Sequence, residues 1–228
     1  MAEIASAETI SIAVSANMRD AFTELQQSFE KRSGHTVKAV IASSGKLTAQ
    51  IKNGAPYDIF LAANMKYPES LYASGIGRDK PTVYAYGSLI LWSKKKLLSI
   101  DELSNSTIAK IALANPRFAP YGIASIQVLE GNKAWKDIER KFIYGNSISQ
   151  VNSYIFSGSV DAAFTSKSSI HSEVIKKKGF WIEINKSYTP IAQGVLVIND
   201  KTGCKDFMSF LFSDEGKELL KKFSYTTL

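Results

Sequence analysis

The sequence has one cysteine, two histidines and no long hydrophobic run. Cys204 therefore has no partner for an internal disulfide, and a lone thiol with two separated histidines cannot form a zinc cluster. No apolar stretch approaches the roughly 20 residues of a membrane-spanning helix, so we expect no membrane insertion. The first eight residues are polar and lack the apolar core of an export signal. We expect that a start codon has replaced the export signal.

The sequence motifs of common catalysts are also missing. There is no Gly-rich phosphate loop, no G-x-S-x-G elbow and no histidine placed to activate Ser15, Ser44 or Ser166. We therefore expect no catalytic residue and no enzyme. The net charge is +7, but the lysine runs at 94–96 and 176–178 are short and the other lysines are dispersed, so we expect no nucleic-acid partner.

What is present is the composition of a globular protein, with 45% hydrophobic and 21% charged residues in a chain of 228. Thr9–Ser15 is a β-branched run that predicts a buried strand. Met18, Phe22, Leu25 and Phe29 recur at helical spacing, and Gly34 ends that helix. Further strands are predicted at 37–41, 59–63, 83–86, 89–92, 111–114, 162–165 and 195–198. Further helices are predicted at 44–52, 69–73, 121–130, before 141, at 148–157, 170–178 and 207–223.

Strands that alternate with helices predict parallel sheets with both faces covered. No flexible linker separates the predicted elements, so two lobes would be joined by crossing strands, near 82–86 and 189–193.

Small or hydroxyl residues follow three of these strands and begin a helix: S-A-N at 15–17, A-S-S-G at 42–45 and P-Y-G at 120–122. Ligands of open α/β sheets bind at the carboxyl ends of strands, and a helix start presents unpaired N–H groups. Several such starts together would bind an anion. Serine and asparagine are also common helix caps, so the pattern leaves both plain caps and an anion site open.

Three segments carry a resemblance to a known family: SIAVSANMRDAF (11–22), IASSGKLTAQIKNGAPYDIFLAAN (41–64) and ANPRFAPYGI (114–123). They resemble the corresponding blocks of the periplasmic molybdate-binding proteins, the ModA family, and the resemblance runs in order over nearly the whole chain. It implies the α/β fold of type II periplasmic binding proteins, with two lobes joined by two crossing strands. Each lobe would have a central mixed sheet flanked by helices. Lobe 1 would comprise residues 1–83 and 193–228, and lobe 2 residues 84–192.

The resemblance also implies a function. The chain would be a periplasmic or other extracytoplasmic solute-binding protein that captures molybdate or tungstate between its lobes and delivers it to the permease of an ABC transporter. It would act as a monomer and need no cofactor. The alternatives are a binding protein or sensor domain for another tetrahedral oxyanion such as sulfate and, less favoured, a phosphate-handling enzyme.

The family's site, carried over by position, implies the anion-binding groups. A metal atom would be bound only as the centre of the oxyanion, by the same residues. The groups are the Asn17 side chain, the Ala16 backbone N–H, the Ser44 hydroxyl, the backbone N–H groups of Tyr121 and Ile148, and Ser166, which stands where some members have a tyrosine hydroxyl.

Neutral donors suit a bare tetrahedral dianion, because every one of its oxygens accepts hydrogen bonds. Phosphate carries a proton at neutral pH and would bury an unsatisfied donor in such a site. Sulfate is fully ionised and would be excluded only by its smaller size. Molybdate and tungstate are nearly equal in size and form one ligand class here.

Overall fold

The computed structural model describes residues 7–131 and 135–228. The expectation of a replaced export signal falls largely on residues 1–6, outside the described ranges. The strands are β1 Thr9–Ser15, β2 Thr36–Ala42, β3 Ile59–Ala62, β4 Thr82–Gly87, β5 Leu89–Ser93, β6 Ile111–Ala114, β7 Phe142–Gly145, β8 Ala162–Ser166, β9 Phe180–Ile184 and β10 Ile191–Val197. The α-helices are α1 Arg19–Ser33, α2 Ser44–Lys52, α3 Lys66–Ala73, α4 Pro120–Glu130, α5 Trp135–Glu139, α6 Ile148–Ser157, α7 Glu173–Lys178, α8 Thr202–Leu211 and α9 Asp214–Lys222.

The chain divides into two compact units. Unit 1 contains the chain up to Tyr86 together with Ala192–Leu228, and unit 2 is Gly87–Ile191. The chain leaves unit 1 near the end of β4 and returns at the start of β10. The predicted divisions lie after residues 83 and 192.

Each unit has one five-stranded mixed sheet flanked by helices. In unit 1 the strand order is β2-β1-β3-β10-β4, where β1 is parallel to β2 and β3, and β10 is antiparallel to β3. In unit 2 the order is β7-β6-β8-β5-β9, where β6 is parallel to β7 and β8, and β5 is antiparallel to β8 and β9. The mixed sheets implied by the resemblance are confirmed, whereas the purely parallel sheets predicted from element alternation are wrong.

Two strands of unit 2, β7 and β9, were not predicted from the sequence. They are the two edge strands of their sheet and bury only part of their side chains. β7 (FIYG) and β9 (FWIEI) each begin with only three consecutive apolar residues, fewer than the run of about four to eight that predicts a buried strand.

The predicted first helix is confirmed, and its apolar face contributes to the hydrophobic core of unit 1. Met18, Phe22, Leu25 and Phe29 are all buried and form the core with apolar side chains of β1, α8 and α9. The Phe29 ring meets the Phe207 ring edge-on, with centroids 5.2 Å apart. Burial of such aliphatic and aromatic side chains is the main stabilising contribution to the unit.

The predicted single terminal helix over 207–223 is wrong, because the chain breaks into α8 and α9 at Phe212 and Ser213. The Ser213 hydroxyl accepts a hydrogen bond from the Gly216 N–H at 3.2 Å and so caps α9. A side chain at Gly216 would place its Cβ 2.3 Å from the Phe210 carbonyl oxygen, so only glycine permits this close turn. None of the helices within the described ranges is long and apolar enough to cross a bilayer.

A buried carboxylate, Asp58, joins distant segments of unit 1. It accepts hydrogen bonds from the Ser11 N–H at 2.7 Å, from Asn199 Nδ2 at 3.0 Å and from Lys201 Nζ at 2.9 Å. Burial alone would raise the pKa of Asp58, but these hydrogen bonds and the Lys201 charge outweigh burial and lower the pKa. The carboxylate therefore stabilises the fold in its ionised form.

We expect Asp58→Ala to lower the free energy of unfolding by about 1–3 kcal/mol, because the Ser11 N–H loses its acceptor. The lowered folded-state pKa means that the contribution of Asp58 is present above the unfolded pKa near 4 and is lost as the pH falls through the folded pKa. Urea unfolding at pH 7 and below pH 4 measures both effects. Asp200→Ala, which removes an exposed partner of Lys205, is the control and should cost less than about 1 kcal/mol. Equal losses in the two variants would contradict this role.

Candidate functional site

In unit 1, two helix starts lie side by side at the carboxyl edge of the sheet. β1 and β2 are parallel, and their final residues, Ser15 and Ala42, are register partners. A short 3-10 turn, Ala16–Met18, follows β1 directly and continues into α1, while α2 begins at Ser44, two residues after β2. The predicted residues Ala16, Asn17 and Ser44 are therefore brought together at one edge, and all three are buried.

The Asn17 side chain is held by two residues from the C-terminal part of unit 1. Its Nδ2 donates to Gln193 Oε1 and to the Tyr225 hydroxyl, both at 2.8 Å. The Tyr225 hydroxyl in turn donates to the Asn17 backbone oxygen at 2.9 Å. All three side chains are buried. This network fixes Asn17 in one orientation and uses both hydrogens of its amide within the protein. The predicted donation from the Asn17 side chain to an anion would therefore require one of these bonds to break.

The Ser44 hydroxyl is also fixed, but as an acceptor. It accepts a hydrogen bond from the Ala63 N–H at 3.0 Å, and this bond links the start of α2 to the residue that follows β3. A hydroxyl has one hydrogen to donate besides its lone pairs, so this bond leaves the Ser44 proton available. The geometry therefore suits a donor that points to a ligand.

In unit 2 the same arrangement occurs after β6 and β7. These strands are parallel, with Ala114 and Gly145 as register partners, and α4 and α6 begin beyond them. The predicted residues Tyr121 and Ile148 lie in the first turns of these two helices and are buried. First-turn N–H groups have no acceptor inside their own helix and carry the positive end of its dipole.

The sequence P-Y-G explains how α4 begins so close to β6. Pro120 is the first residue of α4, where a missing N–H costs nothing, so Tyr121 contributes the first N–H. A Cβ at Gly122 would lie 2.0 Å from the Ala114 carbonyl oxygen, so the helix can reach the strand end only with glycine there.

Ser166, the remaining predicted residue, ends β8 in unit 2 and is fully buried. Its hydroxyl lies 2.8 Å from Ser169 Oγ and accepts a hydrogen bond from Ser168 Oγ at 2.9 Å. It belongs to a hydroxyl cluster that also includes Thr165. A contact between Ser166 and an anion stays a prediction.

The cations near the helix starts, Arg19, Lys46 and Arg117, are exposed, as expected for residues that attract anions from a distance. His35 is buried and bonds through Nδ1 to the Glu8 N–H, and its Nε2 lies 3.0 Å from Asp206 Oδ2. Within residues 7–131 and 135–228, no three His, Cys, Asp or Glu side chains cluster closely enough to hold a bare metal ion.

The helix-cap alternative requires capping bonds from the serines at these helix starts. The N-cap residues of the turn at Ala16 and of α2 are Ser15 and Ser43, and neither side chain makes a capping bond. Ser147, by contrast, caps α6 by accepting the Gln150 N–H. The plain-cap interpretation therefore fails at the two helix starts that follow β1 and β2.

Residues 10–226 match the family model for bacterial extracellular solute-binding proteins. The chain belongs to this family. It is 32% identical to the molybdate-binding protein ModA of Rhodobacter capsulatus over 98% of the chain and 90% of that protein. It is 29% identical to the putative ABC transporter substrate-binding lipoprotein YvgL of Bacillus subtilis, over 96% of the chain and 86% of that protein.

A solved structure, the periplasmic molybdate-binding protein of Azotobacter vinelandii, superposes with a TM-score of 0.87 at 30% identity. The match covers 96% of this chain and 99% of that one, so the family member described here has no large insertion or deletion relative to it. The type II periplasmic-binding-protein fold implied by the sequence resemblance is confirmed.

Two residues that order the site were missed by sequence reasoning. Gln193 and Tyr225 hold Asn17 from 176 and 208 residues away in sequence, and no local pattern indicates such a contact.

We expect Tyr225→Phe to lower the free energy of unfolding by about 1–3 kcal/mol, because both hydrogen bonds to Asn17 are lost in a buried network. Tyr57→Phe is the matched control in the same unit. It removes one hydrogen bond, to Gln50 Oε1, from a less enclosed position and should cost about 1 kcal/mol or less. Equilibrium urea unfolding measures both. An effect of Tyr225→Phe no larger than that of the control would contradict the holding role.

Proposed function

We propose that this protein captures molybdate or tungstate outside the cytoplasm and delivers it to an ABC transporter. The observation that carries the proposal is the pair of parallel strand ends in each unit, where neutral donors lie at two adjacent helix starts. The names of the relatives agree with it: two are molybdate-binding proteins and one is a putative substrate-binding component of an ABC transporter.

The chemistry of these donors supports a fully ionised oxyanion. The Ser44 hydroxyl in unit 1 and the first-turn amides of Tyr121 and Ile148 in unit 2 bring partial positive charge without a cationic side chain. Asn17 would donate from its side chain if a ligand oxygen replaced Gln193 or Tyr225 as the acceptor. Hydrogen bonds to a charged group contribute roughly 1.5–3 kcal/mol each. A handful of them can offset the several kcal/mol that association costs, so tight capture requires no salt bridge.

We propose further that Ala16 contributes its backbone N–H to anion binding. The protein then acts as a monomeric carrier that binds and releases its ligand without chemical change and needs no cofactor. Its partner is the permease of the transporter.

We expect molybdate and tungstate to raise the melting temperature, because a ligand that binds only the folded state adds its binding free energy to stability. At a ligand concentration 100 times the Kd the gain is about 2.7 kcal/mol, or roughly 5–10 °C for a chain of this size. Sulfate, phosphate and chromate at equal concentration complete the panel. A larger shift with sulfate than with molybdate would favour the sulfate-binding alternative, and no shift with any of the five would contradict oxyanion capture.

We expect the backbone amides at the helix starts to report binding. In a titration with molybdate followed by ¹H–¹⁵N correlation spectra, the Ser44 and Ile148 amides should shift, because an anion at a helix start changes the electrostatic environment of the first-turn N–H groups. The control amides are Gly34 and Gly158, at the opposite ends of α1 and α6. Unmoved Ser44 and Ile148 amides, or shifts of equal size at the two glycines, would contradict binding at these helix starts.

A further inference from the structure

Two buried hydroxyls of unit 1, Ser15 Oγ and Ser43 Oγ, have no hydrogen-bond partner within the part of the chain that the structure describes. Ser15 is 1% exposed and Ser43 is 3% exposed. Buried polar groups in folded proteins nearly always have a partner, because burial without one costs free energy. Two such hydroxyls in one unit therefore need a physical reason.

The usual reason for a serine at these positions is absent. Both residues are N-caps with extended backbone, Ser15 before the turn that leads into α1 and Ser43 before α2. An N-cap serine normally accepts an N–H from the first turn, as Ser147 and Ser213 do in this chain. Ser15 and Ser43 accept none among the described residues, so helix capping does not explain them.

Their place in the fold does explain them. Ser15 is the last residue of β1 and its register partner is Ala42, which immediately precedes Ser43, so both hydroxyls lie at the same carboxyl edge. Asn17 is two residues beyond one of them and Ser44 is adjacent to the other. A third buried hydroxyl without a partner in the described ranges, on Tyr84, lies within β4 and not at a helix start.

We propose that the hydroxyls of Ser15 and Ser43 donate to the captured oxyanion, beside the donors at Ala16 and Ser44. This inference rests on the proposed function. A hydroxyl with no acceptor in the protein can turn its hydrogen to a ligand oxygen without breaking an existing bond. The anion thereby supplies the hydrogen-bond acceptor that the two hydroxyls lack in the protein. Binding then offsets the free-energy cost of burying two unpaired hydroxyls.

The test compares affinity with stability in Ser15→Ala and Ser43→Ala. Each substitution removes a hydroxyl that has no partner before binding, so the unliganded melting temperature should stay the same or rise. Molybdate affinity, measured by isothermal titration calorimetry, should fall about tenfold or more for each, as expected for the loss of a hydrogen bond to a charged ligand. Ser15→Cys and Ser43→Cys leave no gap, since the thiol is somewhat larger than the hydroxyl, but provide a much weaker donor, and should show the same loss.

Ser93→Ala is the matched control, because Ser93 is a buried serine of unit 2 whose hydroxyl already donates to the Lys95 carbonyl oxygen at 2.6 Å. It should lose stability and keep its affinity. Each hydroxyl is judged on its own variants. Affinity within twofold of the unmodified protein overturns the proposal for that residue while the proposed function stands. A loss of affinity that is matched by a loss of unliganded stability also overturns it, since the hydroxyl then had a partner in the protein. If the unmodified protein binds no oxyanion at all, both the inference and the proposed function are overturned.

Discussion

The candidate site depends on the register of two parallel strand pairs. β1 and β2 end level with each other at Ser15 and Ala42, and β6 and β7 do so at Ala114 and Gly145. Because parallel strands place their carboxyl ends at one edge, the helices that follow also begin there. A slip of one residue in either pair would turn every side chain of a strand to the other face and separate the helix starts. The hydrophobic cores therefore fix the positions of the polar donors.

Charge has different roles near and far from this edge. Arg19, Lys46 and Arg117 are exposed, and the net charge of +7 gives the whole chain a field that draws anions in. The donors at the helix starts are neutral amides and hydroxyls, aligned before any ligand arrives. Anion binding by such dipoles, as proposed above, would leave no buried cation behind when the anion departs, so release would avoid the cost of an unpaired buried charge.

The parts of the structure that follow from local pattern could be predicted from the sequence. The buried run Thr9–Ser15 and the helical face of Met18, Phe22, Leu25 and Phe29 were identified because neighbouring residues determine them. The edge strands β7 and β9 were not, since their apolar runs are too short to predict a buried strand, and Ser213 broke a helix whose apolar spacing continued across it. At the site, the resemblance supplied Asn17 and Ser44. The network through Gln193 and Tyr225 could not be predicted, because it depends on tertiary contacts between segments far apart in the sequence.

The discontinuity of unit 1 has a consequence for synthesis of the protein. Asn17 is synthesised 176 residues before Gln193 and 208 residues before Tyr225, the two residues that orient its amide. Unit 2 is continuous and can fold while those segments are still being translated. A nascent chain thus carries an unoriented Asn17 until both segments have been made, and the ordered turn after β1 is complete only when Tyr225 has been added.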